Sequence, residues 1–259
     1  MVRKAVILCM SCNQEKYIEE ENAIKETWAK DIIDGKYPNI SVCFYRGGSE
    51  ENRYDEEQHI LYLTSNDTLN STFEKTRDAF EWVENNFEDY DFIIRTNLST
   101  YINIEAISQF LKNNESGVDI ILTTGLVLNN YNNCIPYPKG HFMIIHKTIV
   151  KEIIDIGRNI KVGIDDVVIG TIMAIKYRRE YFNHIREVDG INDIGRQPQS
   201  LCELKKCFSI RLKDEENYEN TIIRMYYFHN IFLNIKDEIK IQEPHGFTSI
   251  ETLCGLIPV

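Results

Sequence analysis

The sequence predicts an α/β protein in which a mostly parallel sheet is covered by helices on both faces. Short β-branched and aliphatic runs alternate along the first two thirds of the chain with longer segments whose apolar residues recur at helical spacing. The strand-like runs are apolar throughout, which is typical of strands buried on both faces. The 259 residues are 43% hydrophobic and 27% charged, as in ordinary globular proteins, so a sizeable core is expected.

The first half of the chain supplies most of the predicted sheet. A strand over Lys4–Met10 precedes a helix over Glu19–Ile33, whose apolar residues fall on one side. Gly47-Gly48 breaks the chain after the second strand. An N-cap at Asn70 or Ser71 begins a further helix that runs to about Asn86. The other predicted elements here are strands over Ile40–Tyr45, His59–Leu63 and Phe92–Arg95 and a helix over Ile104–Leu111.

The second half continues the alternation with fewer strands. Strands are predicted over Val118–Thr123 and His141–Ile145, and the latter leads into a helix that ends near Ile156. Two more helices are predicted over Asp165–Ala174 and Tyr218–Ile235.

Charge and hydropathy exclude some function classes. The net charge of −11 argues against nucleic acid as a partner, because phosphate contacts need a basic face. No apolar run approaches the ~20 residues of a transmembrane helix, and the first apolar run is too short for a signal peptide, so a cytoplasmic protein is expected.

The cysteines give little sign of chemistry. Free thiols are favoured for Cys9 and Cys12 over a redox or zinc-binding role.

The carboxyl ends of the predicted strands are where a ligand is expected in such a sheet. The segment Arg95–Ser99 directly follows one of them and is rich in polar side chains. It is either a strand-to-helix turn, since Asn and Ser cap helices well, or part of a binding site. Asp165 and Asp166 have the same two interpretations, as helix caps or as acid–base groups.

Five segments, in order, resemble motifs of the β-1,3-glycosyltransferases of the galactosyltransferase and fringe kind. Ala23–Trp28 resembles A-I-R-x-T-W, and Lys75-Thr76 resembles the K-T before the central strand. Arg95–Asn103 lies without a gap over K-T-D-D-D-v-f-v-N. Pro136–Phe142 loosely resembles P-x-Y-x-x-G-x-x-Y, and Asp165–Gly170 resembles E-D-V-y-v-G. The resemblance covers residues 4–175.

The resemblance implies a GT-A fold, a Rossmann-like α/β sheet, in one domain over residues 1–259. Residues 1–125 would form the donor-binding half, and 126–259 the acceptor-side half with the C-terminal helix. The implied activity is inverting transfer from a nucleotide-sugar donor to a glycan or other hydroxyl acceptor. Asp166 would be the catalytic base, and Asp165 would orient substrate or cap the helix. Asp165 and His184 would contact the acceptor or support the residues that do. The implied donor-binding residues are Ser11, Lys75, Arg95, Asn97, Ser99, Gly140 and His141.

One departure from the family concerns its metal. Three acidic residues hold a divalent cation there, whereas Asn97, Leu98 and Ser99 stand here. Hard cations prefer carboxylate oxygens, so Mn²⁺ or Mg²⁺ is disfavoured, with Ser99 and His184 as weak candidate ligands. Basic side chains would then neutralise the donor phosphates. The candidates are Lys25, Lys75, Arg95, Lys139, Lys176, Arg178 and Arg179.

Two other functions remain open from the sequence. The missing acids also fit a degenerate transferase that acts as a carbohydrate-binding or scaffold protein. Another nucleotide-binding α/β enzyme is a weaker alternative, because no Walker A motif is present and no G-x-G-x-x-G follows the first strand.

Overall fold

The computed structural model describes residues 2–113, 120–127, 136–191, 201–214 and 217–238. The strands are β1 Ala5–Met10, β2 Ile40–Arg46, β3 Arg53–Asp55, β4 Ile60–Tyr62, β5 Phe92–Asn97, β6 Thr100–Ile102, β7 Ile121–Thr123, β8 Leu126–Val127, β9 Tyr137–Pro138, β10 Phe142–His146, β11 Ile185–Glu187, β12 Gly190–Ile191 and β13 Ser209–Arg211. The helices are α1 Glu15–Glu26, α2 Lys30–Ile33, α3 Thr72–Asn86, α4 Ile104–Asn113, α5 Lys147–Gly157, α6 Asp165–Tyr177, α7 Leu201–Lys206 and α8 Tyr218–Glu238. Residues 118 and 119 of the strand predicted over Val118–Thr123 lie outside the described ranges.

Eight of these strands form the central sheet, in the order β11-β7-β10-β5-β1-β2-β4-β3. The pairs β1–β2, β1–β5, β2–β4 and β7–β11 are parallel. The predicted α/β class with a mostly parallel sheet is therefore confirmed.

Two antiparallel strands qualify the prediction. β3 is a short edge strand, and β10 lies antiparallel between β5 and β7. Because β10 runs in the opposite direction, its first residue lies level with the last residues of its neighbours, and Phe142 pairs with Thr96. This reversal places Gly140 and His141 at the carboxyl edge, by which we mean the edge where β1, β2, β5 and β7 end.

Both faces of the sheet are buried, which explains the continuous apolar runs. Alternate residues of a strand point to opposite faces, so Ala5 and Ile7 join one core while Val6 and Leu8 join the other. The first core lies under α1, α2, α4 and α8, and the second core lies under α3, α5 and α6.

The predicted helix over Glu19–Ile33 is in fact two helices. Helix α1 begins earlier, at Glu15, and its regular backbone ends at Thr27, where φ is −115° and ψ is −114°. The break places Trp28 in the first core, and its indole Nε1 donates a 3.2 Å hydrogen bond to the carbonyl of Thr100. A buried indole N–H needs such a partner, so this tertiary contact overrides the local helical pattern.

Several short strands were not predicted. Strands β12, β13 and β6 form a second small sheet, and β8 pairs with β9. Each has two or three residues, too few to carry a periodicity of their own. Within the described residues, none of the helices combines the length and hydropathy needed to cross a bilayer.

Candidate functional site

Polar side chains gather at the carboxyl edge on both sides of β1. On the β2 side, Glu21 is almost wholly buried at 1% exposure. Its carboxylate accepts hydrogen bonds from Arg46 Nη2 at 2.7 Å, Lys25 Nζ at 2.7 Å and the hydroxyl of Ser11 at 2.8 Å. Two cations and a hydroxyl therefore satisfy this one buried carboxylate within the protein.

Lys75 belongs to the same side of the edge. Its ammonium donates to Asp67 Oδ1 at 2.5 Å and to the carbonyl of Ser11 at 2.9 Å, and its side chain is buried. The structure thus brings the predicted donor-binding residues Ser11 and Lys75 to the expected edge, where both bind other parts of the chain.

Arg95, near the end of β5, forms a second buried ion pair. Its Nη2 lies 2.6 Å from Asp165 Oδ2, and both side chains are about 5% exposed or less. Thr76 also donates to Asp165 Oδ2 at 3.2 Å, while Arg95 Nε has no hydrogen-bond partner in the described ranges. Burial alone would lower the pKa of Arg95, but Asp165, Tyr45 and Asp166 together outweigh it and raise that pKa.

Asp166 is half-buried in the first turn of α6, beside that pair. Its carboxylate accepts from the backbone N–H of Gly140 at 3.1 Å and of Val167 at 2.8 Å. Burial and the neighbouring Asp165 charge raise the pKa of Asp166, while Arg95 and the two N–H groups oppose the shift. A desolvated carboxylate of this kind is a suitable general base.

Gly140 permits this contact because it has no side chain. A Cβ placed on Gly140 would lie 2.5 Å from Asp166 Oδ2, well inside van der Waals contact. The backbone N–H can therefore approach the carboxylate only when glycine occupies the position.

The turn after β5 is built around a buried leucine. Leu98 is 3% exposed and packs in the first core, so its side chain points away from solvent. Asn97 Oδ1 accepts from the hydroxyls of Ser99 at 3.1 Å and Thr100 at 2.8 Å. Thr100 and Thr96 both donate to the carbonyl of His141, and His141 Nε2 lies 2.9 Å from the Thr124 hydroxyl. These bonds join the β5 turn to the start of β10.

The residues of this turn do not fit a divalent metal. The Asn97 oxygen already accepts two internal hydrogen bonds, Leu98 offers no ligand atom, and Ser99 is neutral. Over the ranges that the structure describes, no three His, Cys, Asp or Glu residues are grouped so that they could share a metal ion.

His184 lies apart from the other predicted site residues. It precedes β11, which is parallel to β7, so it lies at the amino edge of the sheet. Its ring stacks on Tyr177 with centroids 3.6 Å apart. The prediction that His184 and Ser99 are weak candidate ligands of one metal ion is corrected, because the two residues lie at opposite edges of the sheet.

The network around Glu21 was not predicted from the sequence. Its closest partner on another element, Arg46, is 25 residues away on β2, and only the i,i+4 spacing of Glu21 and Lys25 was visible locally. Of the other candidate cations, Lys176 pairs with Glu152 on the helical layer.

A cavity of about 320 Å³ lies elsewhere, between α2, α4, α7 and α8. Its lining includes Trp28, Tyr101, Lys205 and Phe232, and it contains none of the carboxyl-edge residues described above. The cavity and the cluster of titratable groups are therefore different places, and the chemistry favours the cluster.

The chain is similar in fold to a glycosyltransferase involved in the glycosylation of the major capsid of PBCV-1. The TM-score is 0.53 and the identity 11%, over 86% of this chain and 99% of the other. At that identity the likeness concerns the fold alone, and it confirms that this α/β architecture is one that a glycosyltransferase uses.

Two more distant structures are also glycosyltransferases. The apo form of GlyE from Streptococcus pneumoniae TIGR4 has a TM-score of 0.41 at 9% identity, over 91% of this chain and 64% of the other. The catalytic domain of Drosophila β1,4-galactosyltransferase 7, in complex with xylobiose, has a TM-score of 0.31 at 11% identity, over 57% of this chain and 51% of the other. Neither is close enough to argue from. No protein-family model matches the sequence, and no curated protein does.

Proposed function

We propose that this protein is a glycosyltransferase that moves a sugar from a nucleotide-sugar donor to a hydroxyl group of a glycan or other acceptor. One observation carries the proposal. A half-buried carboxylate with a raised pKa, Asp166, is held by the Gly140 N–H at the carboxyl edge of a glycosyltransferase-like fold. This is the edge at which α/β sheets of this kind bind ligands.

The proposed reaction is an inverting displacement with Asp166 as the base. The acceptor oxygen forms a bond to C1 of the sugar, and its proton passes to Asp166. The bond between C1 and the phosphate oxygen breaks, and its electron pair leaves with the nucleoside diphosphate. Positioning of the two substrates and stabilisation of the departing charge supply most of the rate.

The proposed donor site lies along the ends of β5 and β10. Asn97 and Ser99 are half-buried and lie where donor atoms could contact them, with His141 behind the turn. Arg95 is buried and paired with Asp165, so we assign it the positioning of the Asp165–Asp166 turn. Ser11 and Lys75 would support the donor site indirectly, because the hydrogen bonds of Ser11 to Glu21 and of Lys75 to Ser11 hold the chain in place after β1.

The motif order in residues 4–175 supports the narrower proposal of a relative of the β-1,3-galactosyltransferase and fringe-like families. The contact between Asp166 and Gly140 at the carboxyl edge supports assigning Asp166 the role of that family's base. The turn at Asn97–Ser99 has none of the family's three acidic residues. It therefore supports a donor site that binds the diphosphate without a carboxylate-bound metal ion.

The test is a panel of nucleotide sugars offered to the purified chain with and without Mn²⁺. Thermal shift reports binding, and release of nucleoside diphosphate with an added acceptor reports transfer. At least one sugar nucleotide should raise the melting temperature and be consumed. If none binds, the proposal is wrong; if Asp166→Asn retains full transfer, only the base assignment fails.

The degenerate-transferase alternative has one observation in its favour. The Leu98 side chain packs in the core, and the Asn97 side chain accepts hydrogen bonds within its own turn. The position of the family's acidic motif therefore offers no free oxygen ligand for a metal ion. That alternative predicts saccharide binding, measured on a glycan array, by a protein that turns over no nucleotide sugar in the same panel.

A further inference from the structure

Lys139 differs from the other basic side chains at the carboxyl edge. Lys25, Arg46, Lys75 and Arg95 each lie within 2.8 Å of a carboxylate oxygen. The ammonium of Lys139 has neither an ion pair nor a hydrogen-bond acceptor within the described parts of the chain, although the residue is half-buried. A partly buried cation without a counter-charge is unfavourable, so an anion from outside the chain would stabilise it.

The backbone around Lys139 holds its side chain in place. Its N–H donates to the carbonyl of Gly125 at 3.0 Å. The lysine stem then lies across Gly125, where an added Cβ would be 3.3 Å from both Cε and Nζ. Gly125 has φ of +155°, a conformation that other residues rarely adopt. Glycine therefore provides both the turn and the space for the lysine at the end of β7.

This position is next to the proposed base. Gly140, which donates to Asp166, follows Lys139 directly, and consecutive Cα atoms are about 3.8 Å apart. Gly125 lies just beyond the end of β7, and β7 is separated from β5 by β10 alone. Adjacent strands are roughly 4.8 Å apart, so Gly125 and the Asn97 turn lie about 10 Å from each other across the edge. The start of β10 lies between them, and a diphosphate placed over that end of β10 would be within reach of both.

We propose that Lys139 binds the diphosphate of the sugar donor and supplies the positive charge that the Asn97–Ser99 turn cannot hold as a metal ion. The inference rests on the proposed function. An ammonium can donate to oxygens of both phosphates, and it stabilises the negative charge that develops when the bond to C1 breaks. Gly125 acts as a positioning residue, because it fixes the lysine without touching the donor.

The experiment measures binding of UDP, GDP, ADP and CDP to the full chain by titration calorimetry in EDTA. The diphosphate that binds most tightly is then compared with its monophosphate for wild type and Lys139→Met. Loss of a charge-assisted contact should weaken diphosphate binding about 10- to 100-fold and monophosphate binding much less. Lys139→Arg keeps the charge and should retain most of the affinity, and Gly125→Ala should lower it with the lysine still present.

The matched control is Lys112→Met, which removes an exposed lysine from the end of α4, at the amino edge of the sheet, and leaves the net charge equal to that of Lys139→Met. The control should bind like wild type. If wild type binds diphosphates in EDTA and Lys139→Met binds them equally well, the role of Lys139 is wrong while the proposed function stands. Binding that requires Mn²⁺ would also overturn it. If wild type binds no nucleotide or nucleotide sugar under any condition, the proposed function fails and this inference with it.

Discussion

The two halves of the carboxyl edge differ in how completely their charges are satisfied. The paired half, at the ends of β1 and β2, contains Glu21, Lys25, Arg46, Lys75 and Asp67, and each of these charges has an opposite charge within 2.8 Å. The open half, at the ends of β5, β7 and β10, contains Asp166 and Lys139 beside the Arg95–Asp165 ion pair. Within the described ranges, Asp166 accepts hydrogen bonds from backbone N–H groups only, and Lys139 has no counter-charge.

This difference distinguishes charged groups that stabilise the fold from charged groups that are available to bind a ligand. Buried charges that neutralise one another fix the geometry of their surroundings, and removing one partner leaves the other uncompensated. Groups that the chain leaves unsatisfied in a fold of this kind are where a ligand adds favourable contacts. We therefore expect stability effects in the paired half and activity effects in the open half.

The largest expected effect is on the rate, from Asp166→Asn in the open half. Loss of a general base should lower the transfer rate about 100- to 10,000-fold. Because the folded protein raises the pKa of Asp166, the ionised carboxylate is unfavourable in the fold, and the variant should melt at or above the wild-type temperature at pH 8. Steady-state kinetics and thermal melts on the same samples measure both; a large drop in melting temperature would contradict the assignment.

The wild-type rate should also depend on pH through this group. Asp166 must be ionised to accept a proton, and its raised pKa means that the rate falls as the pH drops through a value above the ordinary range for aspartate, about 3.9. A profile of kcat/KM against pH checks this. An acid limb at or below the ordinary value would count against Asp166 as the base.

In the paired half, Glu21→Gln should act on stability. Leaving Arg46 and Lys25 without their shared carboxylate should cost about 3–5 kcal/mol, which corresponds to a fall in melting temperature on the order of 10 °C. Glu19→Gln, which makes the same chemical change at an exposed position on the same helix, is the control and should melt like wild type. If Glu21→Gln melted like wild type but bound the donor less well, the paired half would have a functional role and the comparison of the two halves would be wrong.

A smaller effect is expected for Gly140→Ala. The added methyl would displace the Asp166 carboxylate, which should lower kcat about 10- to 100-fold with little change in KM for the donor. In the Asp166→Asn background the same substitution should cause no further loss, because its effect passes through that carboxylate. Additive losses would show that Gly140 acts on its own.

The smallest effect concerns Glu20, the neighbour of Glu21 on α1. Burial raises the pKa of Glu20 to about 7, with Lys16 opposing the shift. The folded state therefore prefers the protonated form, and stability is lost as the pH rises from the ordinary glutamate range through about 7. Glu20→Gln should melt higher than wild type at pH 8 and nearly like wild type at pH 5, whereas the exposed control Glu19→Gln should show no such pH-dependent difference.

The layers of the fold could be predicted from the sequence because they depend on local periodicity. β1, β2, β5, α3 and α6 each have enough residues to show their spacing, and their positions were correct to within a few residues. The direction of β10 and the short strands were not predictable, because they are fixed by partners far along the chain. β6, for example, pairs with β13, more than one hundred positions later.

The candidate site was only partly predictable for the same reason. Asn97 and Gly140 lie at one edge because β10 runs antiparallel to β5, and the Gly140 N–H joins Asp166 to them. The sequence could not indicate that Ser11 and Lys75 are occupied by internal bonds, nor at which end of its strand His184 lies. Those facts depend on contacts between segments that are distant in sequence.

Leu98 has a consequence for protein engineering. Substituting aspartate for Leu98 would not give this turn a metal site. Leu98 is 3% exposed and packs in the first core, so the new carboxylate would be buried there. Such a design would first have to move the backbone so that the residue faces the donor. The turn is therefore anchored in its present form by packing, and a change of cofactor dependence would require rebuilding the layer beneath it.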